Sequence, residues 1–116
     1  MLKNLSTNKV ICKNVCVANK YLSKLKGLMF ENKQKFSYAL VISLNSESKI
    51  KASIHMLFVF FPIAVFFLNK EKRVVDKKVL KPFTLNYTPK QPSKYIIELP
   101  AEYIDSAKLG DKLDWK

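Results

Sequence analysis

Apolar residues in this chain concentrate in short runs separated by lysine-rich polar stretches. The longest run, Ile54 to Leu68 (IHMLFVFFPIAVFFL), is interrupted only by His55 and Pro62. A helix that crosses a bilayer needs roughly 20 consecutive apolar residues, more than this run supplies. Pro62, near the middle, would break or kink such a helix, whereas Phe, Val and Ile favour strands. Lys49, Lys51, Lys70 and Lys72 crowd the flanks. The pattern therefore predicts two extended segments, over 53–60 and 63–68, with a bend at Pro62. Both of their faces are apolar, so other parts of the fold must cover both.

Val10 to Ala18 is rich in Val and Ile and predicts a strand. NKYLSKLKGLMF follows, with Leu22, Leu25 and Met29 at helical spacing, Asn19 as cap and Gly27 as stop, which predicts one short helix. YALVISL (Tyr38 to Leu44) reads as a strand and NSESKIK as a polar loop. Asn69 to Lys72 reads as a hairpin turn into RVVDKKVL. Pro82, Pro89 and Pro92 mark an extended loop, and KYIIEL a further strand. PAEYIDSAKLG predicts a second short helix, starting near Pro100 and closed by Gly110. GDKLDW then turns into a last strand. Residues 1–9 are expected to be a loose lead-in. No repeat, low-complexity segment or linker divides the chain, so 1–116 is expected to be a single domain with a core that needs neither disulfide nor metal. The fold class expected is mainly β (α+β).

Charge adds a partner class. Lys and Arg number 21 against 9 Asp and Glu, for a net charge of +12. Such a surface suits a phosphate-rich partner, or it is a lysine coat around a small apolar core. Arg73 is the sole arginine, and the lysines are spread along the chain. Specific phosphate and base recognition favours the arginine fork, so weak, salt-sensitive, sequence-blind polyanion binding is what these lysines support. With only two glycines, Gly-rich phosphate loops are excluded.

Cys12 and Cys16, on one face of one strand, would lie about 13 Å apart, beyond disulfide reach. A structural zinc normally needs four ligands, and His55 is the only further soft one. Two unpaired thiols on one strand face are therefore expected, with no metal and no cofactor. Reduced thiols, and an N-terminus (MLKNLSTNKV) without the apolar run of a signal peptide, point to the cytoplasm. A monomer or homodimer without a transmembrane segment is expected.

Several of these pieces occur in a familiar order: GLMF (Gly27 to Phe30), YALVISL, SIHMLFVFFPIAVFFLNKEKRVVD, LKPF, and KYIIELPAEYIDSAKLGDKL. Their order and spacing resemble the DUF192 family, also called the uncharacterised protein family UPF0127. The likeness is greatest to its archaeal-type members, whose central motif runs close to SIHMFFMRFPIDVIFLD, and it covers about residues 10 to 115. The block from Ser53 to Asp76 is its specific part. The resemblance implies a compact β-rich, barrel-like domain with a few short helices and no established activity. Two central positions depart from the pattern: Ala64 stands where relatives usually carry aspartate, and Phe60 where the archaeal-type motif has arginine.

Candidate chemistry rests on three residues. His55 is the only histidine, and imidazole can serve as acid, base or ligand near neutral pH. Alternation places it on one strand face with Leu57 and Val59, opposite Ile54, Met56 and Phe58; burial with a hydrogen-bond partner is the structural reading. Glu98 lies within an apolar strand, where a carboxylate needs a partner or an edge. A lysine or a backbone amide is the expected partner, and His55 would make an acid–base pair. Asp111 reads as a turn residue. Gly27, Met29, Met56, Pro62, Pro82 and Gly110 are motif or backbone positions. No Ser-His-Asp order or nucleophile elbow is recognisable. The leading functional reading is a binding or interaction module without chemistry. The alternatives are an enzyme using His55 with a carboxylate, and a weak non-specific nucleic-acid binder.

Overall fold

The computed structural model describes residues 1–18, 36–53, 60–84 and 86–116. Among them, β5 (Ile63–Leu68) and β6 (Val74–Leu80) form the predicted hairpin after Pro62. Asn69 builds its turn: the side-chain oxygen accepts hydrogen bonds from Glu71 N and Arg73 N, both at 3.0 Å. An asparagine that satisfies backbone donors two and four residues ahead fixes a tight turn without glycine. Lys72 completes it in the left-handed region at φ 64.

A five-stranded sheet grows from this hairpin in the order β3-β4-β7-β5-β6, where β3 is Val15–Ala18, β4 Ala39–Ser48 and β7 Ser93–Pro100. The β3–β4 pair is parallel and the rest antiparallel. β1 (Leu2–Asn4), β2 (Lys9–Cys12) and β8 (Leu113–Asp114) form a three-stranded sheet in the order β2-β1-β8.

All of β5 is buried because its two faces feed two cores. Ile63, Val65 and Phe67 join Leu40, Ile42 and Ile96 on the first face of the large sheet. Ala64, Phe66 and Leu68 join Val41, Ile97 and Leu99 on the second. The small sheet closes the second face through Leu2, Cys12 and Leu113. Phe36, Ala52 and Phe61 cover part of the first, with Tyr87 packed against it. Burying a side chain such as Phe66 or Phe67 contributes about 2–3 kcal/mol.

Several expectations are corrected. The mainly β class holds, but the strands form two facing sheets and no closed barrel among the described residues. Residues 1–9 are not loose: Leu2 and Asn4 are fully buried. The Asn4 amide donates to Ser106 O (3.2 Å) and Asp111 Oδ2 (2.8 Å), and its oxygen accepts from Ser6 N and Thr7 N. Val10 to Ala18 is not one strand, because the chain leaves the small sheet after Cys12 and enters the large one at Val15. β4 runs through Ser48, so its last residues are not loop.

After Pro100 the chain forms a 3-10 helix, Ala101–Ser106, which ends before Gly110. Lys77 Nζ stops it by donating to Ile104 O and Ala107 O, both at 3.0 Å, a lysine bonded to terminal carbonyls. Gly110 instead serves the following turn at φ 92, a conformation that favours glycine. The helix predicted over 19–30 lies outside the described residues, as does most of the segment 53–60. Among the described residues no helix is long and apolar enough to cross a membrane.

Candidate functional site

β7 places Ile96, Glu98 and Pro100 on the first face of the large sheet, by the two-residue repeat of a strand. Across the sheet, Glu98 is in register with Leu40 on β4 and Val65 on β5, both apolar. It is only 5% exposed. Neither the expected lysine nor a backbone amide pairs with it: among the described residues Glu98 has no hydrogen-bond or ion-pair partner. Lys78 shares its transverse row beyond Val65 but turns to solvent. Burial pushes the Glu98 carboxyl up to about 7, because the charged form loses its hydration without a compensating partner.

Three connections emerge at the nearer end of this strand row, where Leu80 pairs with Ile63 and Ile63 with Pro100. They carry Phe60 to Pro62 before β5, Lys81 to Thr84 after β6, and the helix after β7. A pocket of about 110 Å³ lies there, lined by Phe36, Phe61, Pro62, Pro100, Ala101 and Glu102. Phe36 and Phe61 stand 5.5 Å apart, tilted at 37°. Pro100 is two strand positions from Glu98, about 7 Å along the same face.

An exposed aromatic pair stands at the same end. Phe60 and Phe83 are 57% and 48% exposed and meet edge to face at 5.4 Å. Thr84 N donates to Lys81 O (3.3 Å), Pro82 follows Lys81, and Phe83 has φ 63. This is the pattern of a type II turn, whose third position normally takes glycine or asparagine. A left-handed backbone costs a side chain like Phe83 about 1–2 kcal/mol.

Asp111 does not join this site. It lies beyond the opposite end of the β5–β6 hairpin, where Val74 N donates to its carbonyl. Its carboxyl is held below the usual range, first by the Asn4 amide and then by Lys108 N, which donates at 3.0 Å. This is the expected turn role, extended into a tie between the chain's two ends. Pro62 lines the pocket, and Pro82 sets the turn before Phe83. His55, Met56, Gly27 and Met29 lie outside the described residues, and so does any pairing of His55 with Glu98.

Sequence reasoning missed Asn4, Asp76, Tyr87, Phe83 and Glu102. Asp76 is buried on β6 and accepts hydrogen bonds from Tyr87 OH (2.7 Å), Lys77 N (2.9 Å) and Lys90 N (3.2 Å). It fastens the long loop after β6 to the sheet. Desolvation and the Asp76 carboxylate raise the Tyr87 phenol to about 12. A carboxylate within the Val-rich VVDKKVL was the available signal. For Phe83 the signal was Pro82, which favours the second position of such a turn.

The two thiols are free but do not share a strand face: Cys12 is buried in the small sheet and Cys16 exposed on β3. Cys12 Sγ donates to Asn14 O at 3.3 Å. Among the described residues no three His, Cys, Asp or Glu side chains group closely enough to hold a metal. A thiol reagent is expected to label Cys16 in the folded protein, and Cys12 only after denaturant is added. Labelling of both at equal rates under native conditions would contradict this placement.

These features define a two-sheet β-domain with a buried carboxyl, unpaired among the described residues, next to a small aromatic-lined pocket. The chain belongs to the DUF192 family, described as Uncharacterized ACR, COG1430, whose model matches residues 3–115. A UPF0127 protein of Pyrococcus furiosus is 42% identical over 114 residues, covering 97% of this chain and 95% of the relative. One from Thermococcus sibiricus is 41% identical over 118 residues, covering 100% of this chain and 75% of the relative. A crystal structure of a protein of unknown function from Novosphingobium aromaticivorans has the same fold. Its TM-score is 0.77 at 19% identity, with 87% of this chain and 74% of that one covered.

Proposed function

We propose that the protein is a small-ligand binding module whose site is the pocket at the Pro100 end of the large sheet, backed by Glu98. The observation that carries this reading is the Glu98 carboxyl, desolvated and without a partner among the described residues, beside an aromatic-lined pocket. Leucine at this position would pack against Leu40 and Val65 without a desolvation cost. Departures from that simpler solution concentrate at functional sites. A small pocket with apolar walls and a few convergent polar groups is the usual form of a ligand site.

A second reading is favoured by one observation: a carboxyl that titrates near neutral pH suits general acid–base chemistry. Its residues would be Glu98 and His55. Weak polyanion binding by the lysines is compatible with either. The two free thiols favour a cytoplasmic setting.

The test is a two-dimensional amide NMR titration of the full chain with a library of small polar organic compounds. Binders are expected to shift the amides of Phe61, Ile63, Leu99, Ala101 and Glu102. If every binder shifts only lysine-bearing loops, or nothing binds, this reading is wrong.

A further inference from the structure

We infer that the pocket is built for the ammonium group of a small organic amine, with Glu98 and Glu102 supplying the negative charge. This inference rests on the small-ligand reading and names the ligand class of the same site. Acidic side chains are the minority in this chain, 9 against 21 basic ones. In such company a carboxylate readily finds a cation, as Asp114 does with Lys72 at 2.9 Å. Glu98 takes none. Among the described residues no lysine lines the pocket, and the one titratable residue that does is Glu102. Two carboxyls therefore stand near one end of the sheet, Glu102 on the pocket wall and Glu98 two strand positions behind Pro100, and among the described residues no cation pairs with either.

The remaining walls fit the rest of such a ligand. Phe36 and Phe61 line the pocket, and aromatic rings attract a desolvated ammonium. Pro62 and Pro100 offer apolar surface for methylene groups. The pocket of about 110 Å³ holds the volume of about three or four waters. That suits an ammonium with a few carbons, as a whole molecule or as the end of a longer chain. An anionic ligand would face two carboxyls, and a neutral alcohol would leave the buried charge uncompensated.

Protonation follows from the same geometry. Among the described residues, the titratable groups nearest Glu98 by register are Glu102 at the pocket, Lys78 beyond Val65, Cys16 beyond Leu40, and Asp76 with Tyr87 one row further along. Only Glu98 among them is both buried and without a partner. An ammonium ligand needs it ionised, so amine binding must strengthen as pH rises through neutrality.

The experiment titrates the full chain with n-butylammonium, n-butanol and butyrate, following the amides of Phe61, Ala101 and Glu102 by NMR. At about pH 8, butylammonium is expected to bind at least about tenfold more tightly than butanol, and butyrate more weakly than both. At about pH 5.5 the preference for the amine should shrink to about threefold or less. Glu98→Gln should cut the preference at pH 8 to the about threefold or less that Glu102 sustains, and make it the same at both pH values. Glu102→Gln, at an exposed position, should weaken it by a few-fold while the fold is unchanged. Butanol or butyrate binding as well as the amine at pH 8 overturns the amine assignment but leaves the small-ligand site standing. So does a preference that Glu98→Gln leaves undiminished at pH 8. Binding of none of the three at the pocket removes both.

Discussion

Glu98→Gln is expected to stabilise the protein above neutral pH by about 3 kcal/mol and to leave it almost unchanged near pH 4. The size follows from the carboxyl's rise from 4.5 to about 7 on folding, each unit being worth about 1.4 kcal/mol. The sign follows from proton counting. Below about pH 4.5 the carboxyl is protonated in both folded and unfolded chains, and the group adds no pH dependence. Between about 4.5 and 7 the unfolded chain has released a proton that the folded chain keeps, so stability falls as pH rises. Above about 7 both states are ionised, and the folded state bears the full cost of a buried charge. Glutamine keeps the shape and cannot ionise, so its gain should appear over that window. Urea denaturation of both proteins at pH 4, 6 and 8 measures it. A wild-type stability that rises from pH 5 to 8 relative to the variant would show that Glu98 has a cationic partner in the folded chain, and would also undo the amine inference.

Much of the large sheet was legible because its strands announce themselves locally. The run after Pro62 is apolar on both faces, and β5 feeds both cores. Asn69 to Lys72 carried turn chemistry, and YIIEL the pattern of a central strand. Glu98 was legible as a problem, a carboxylate among isoleucines, but not in its outcome. Whether a lysine reaches it depends on which strands flank β7, and that is a matter of pairing between distant segments. The N-terminus shows the same limit. Nothing local in MLKNLS indicates burial; Asn4 is buried because Ser106 and Asp111, more than a hundred residues away, accept its amide protons. The break between β2 and β3 falls at Lys13 and Asn14, a polar pair too short to separate two valine-rich segments by pattern alone, while the chain changes sheets. The pattern alone therefore places Cys12 and Cys16 on one strand.

Ala64→Asp is expected to destabilise the protein by about 3–5 kcal/mol, although the archaeal-type motif that the sequence resembles has aspartate at this position. Ala64 is fully buried in the core between the two sheets. Its in-register neighbours are Val79 and Leu99, and neither can compensate a charge. An unpaired carboxylate there would meet the cost of a buried, uncompensated ion. The nearest cation on the same face by register is Lys77, opposite Phe66. Its ammonium already bonds Ile104 O and Ala107 O at the end of the 3-10 helix. Drawing it toward Asp at position 64 would release both carbonyls, exchanging one unsatisfied group for two. The arginine that the resembled motif places at position 60 is not an available remedy, since Phe60 sits half-exposed against Phe83 at the sheet's end. The loss should shrink toward pH 3, where the new carboxyl is protonated and only its polarity is buried. Urea denaturation of Ala64→Asp at pH 7 and pH 3 checks both size and direction. A loss under about 1 kcal/mol at pH 7 would mean that the backbone at the start of the helix supplies the carboxylate with hydrogen bonds. Alanine would then fill a site that still accepts the family's acid.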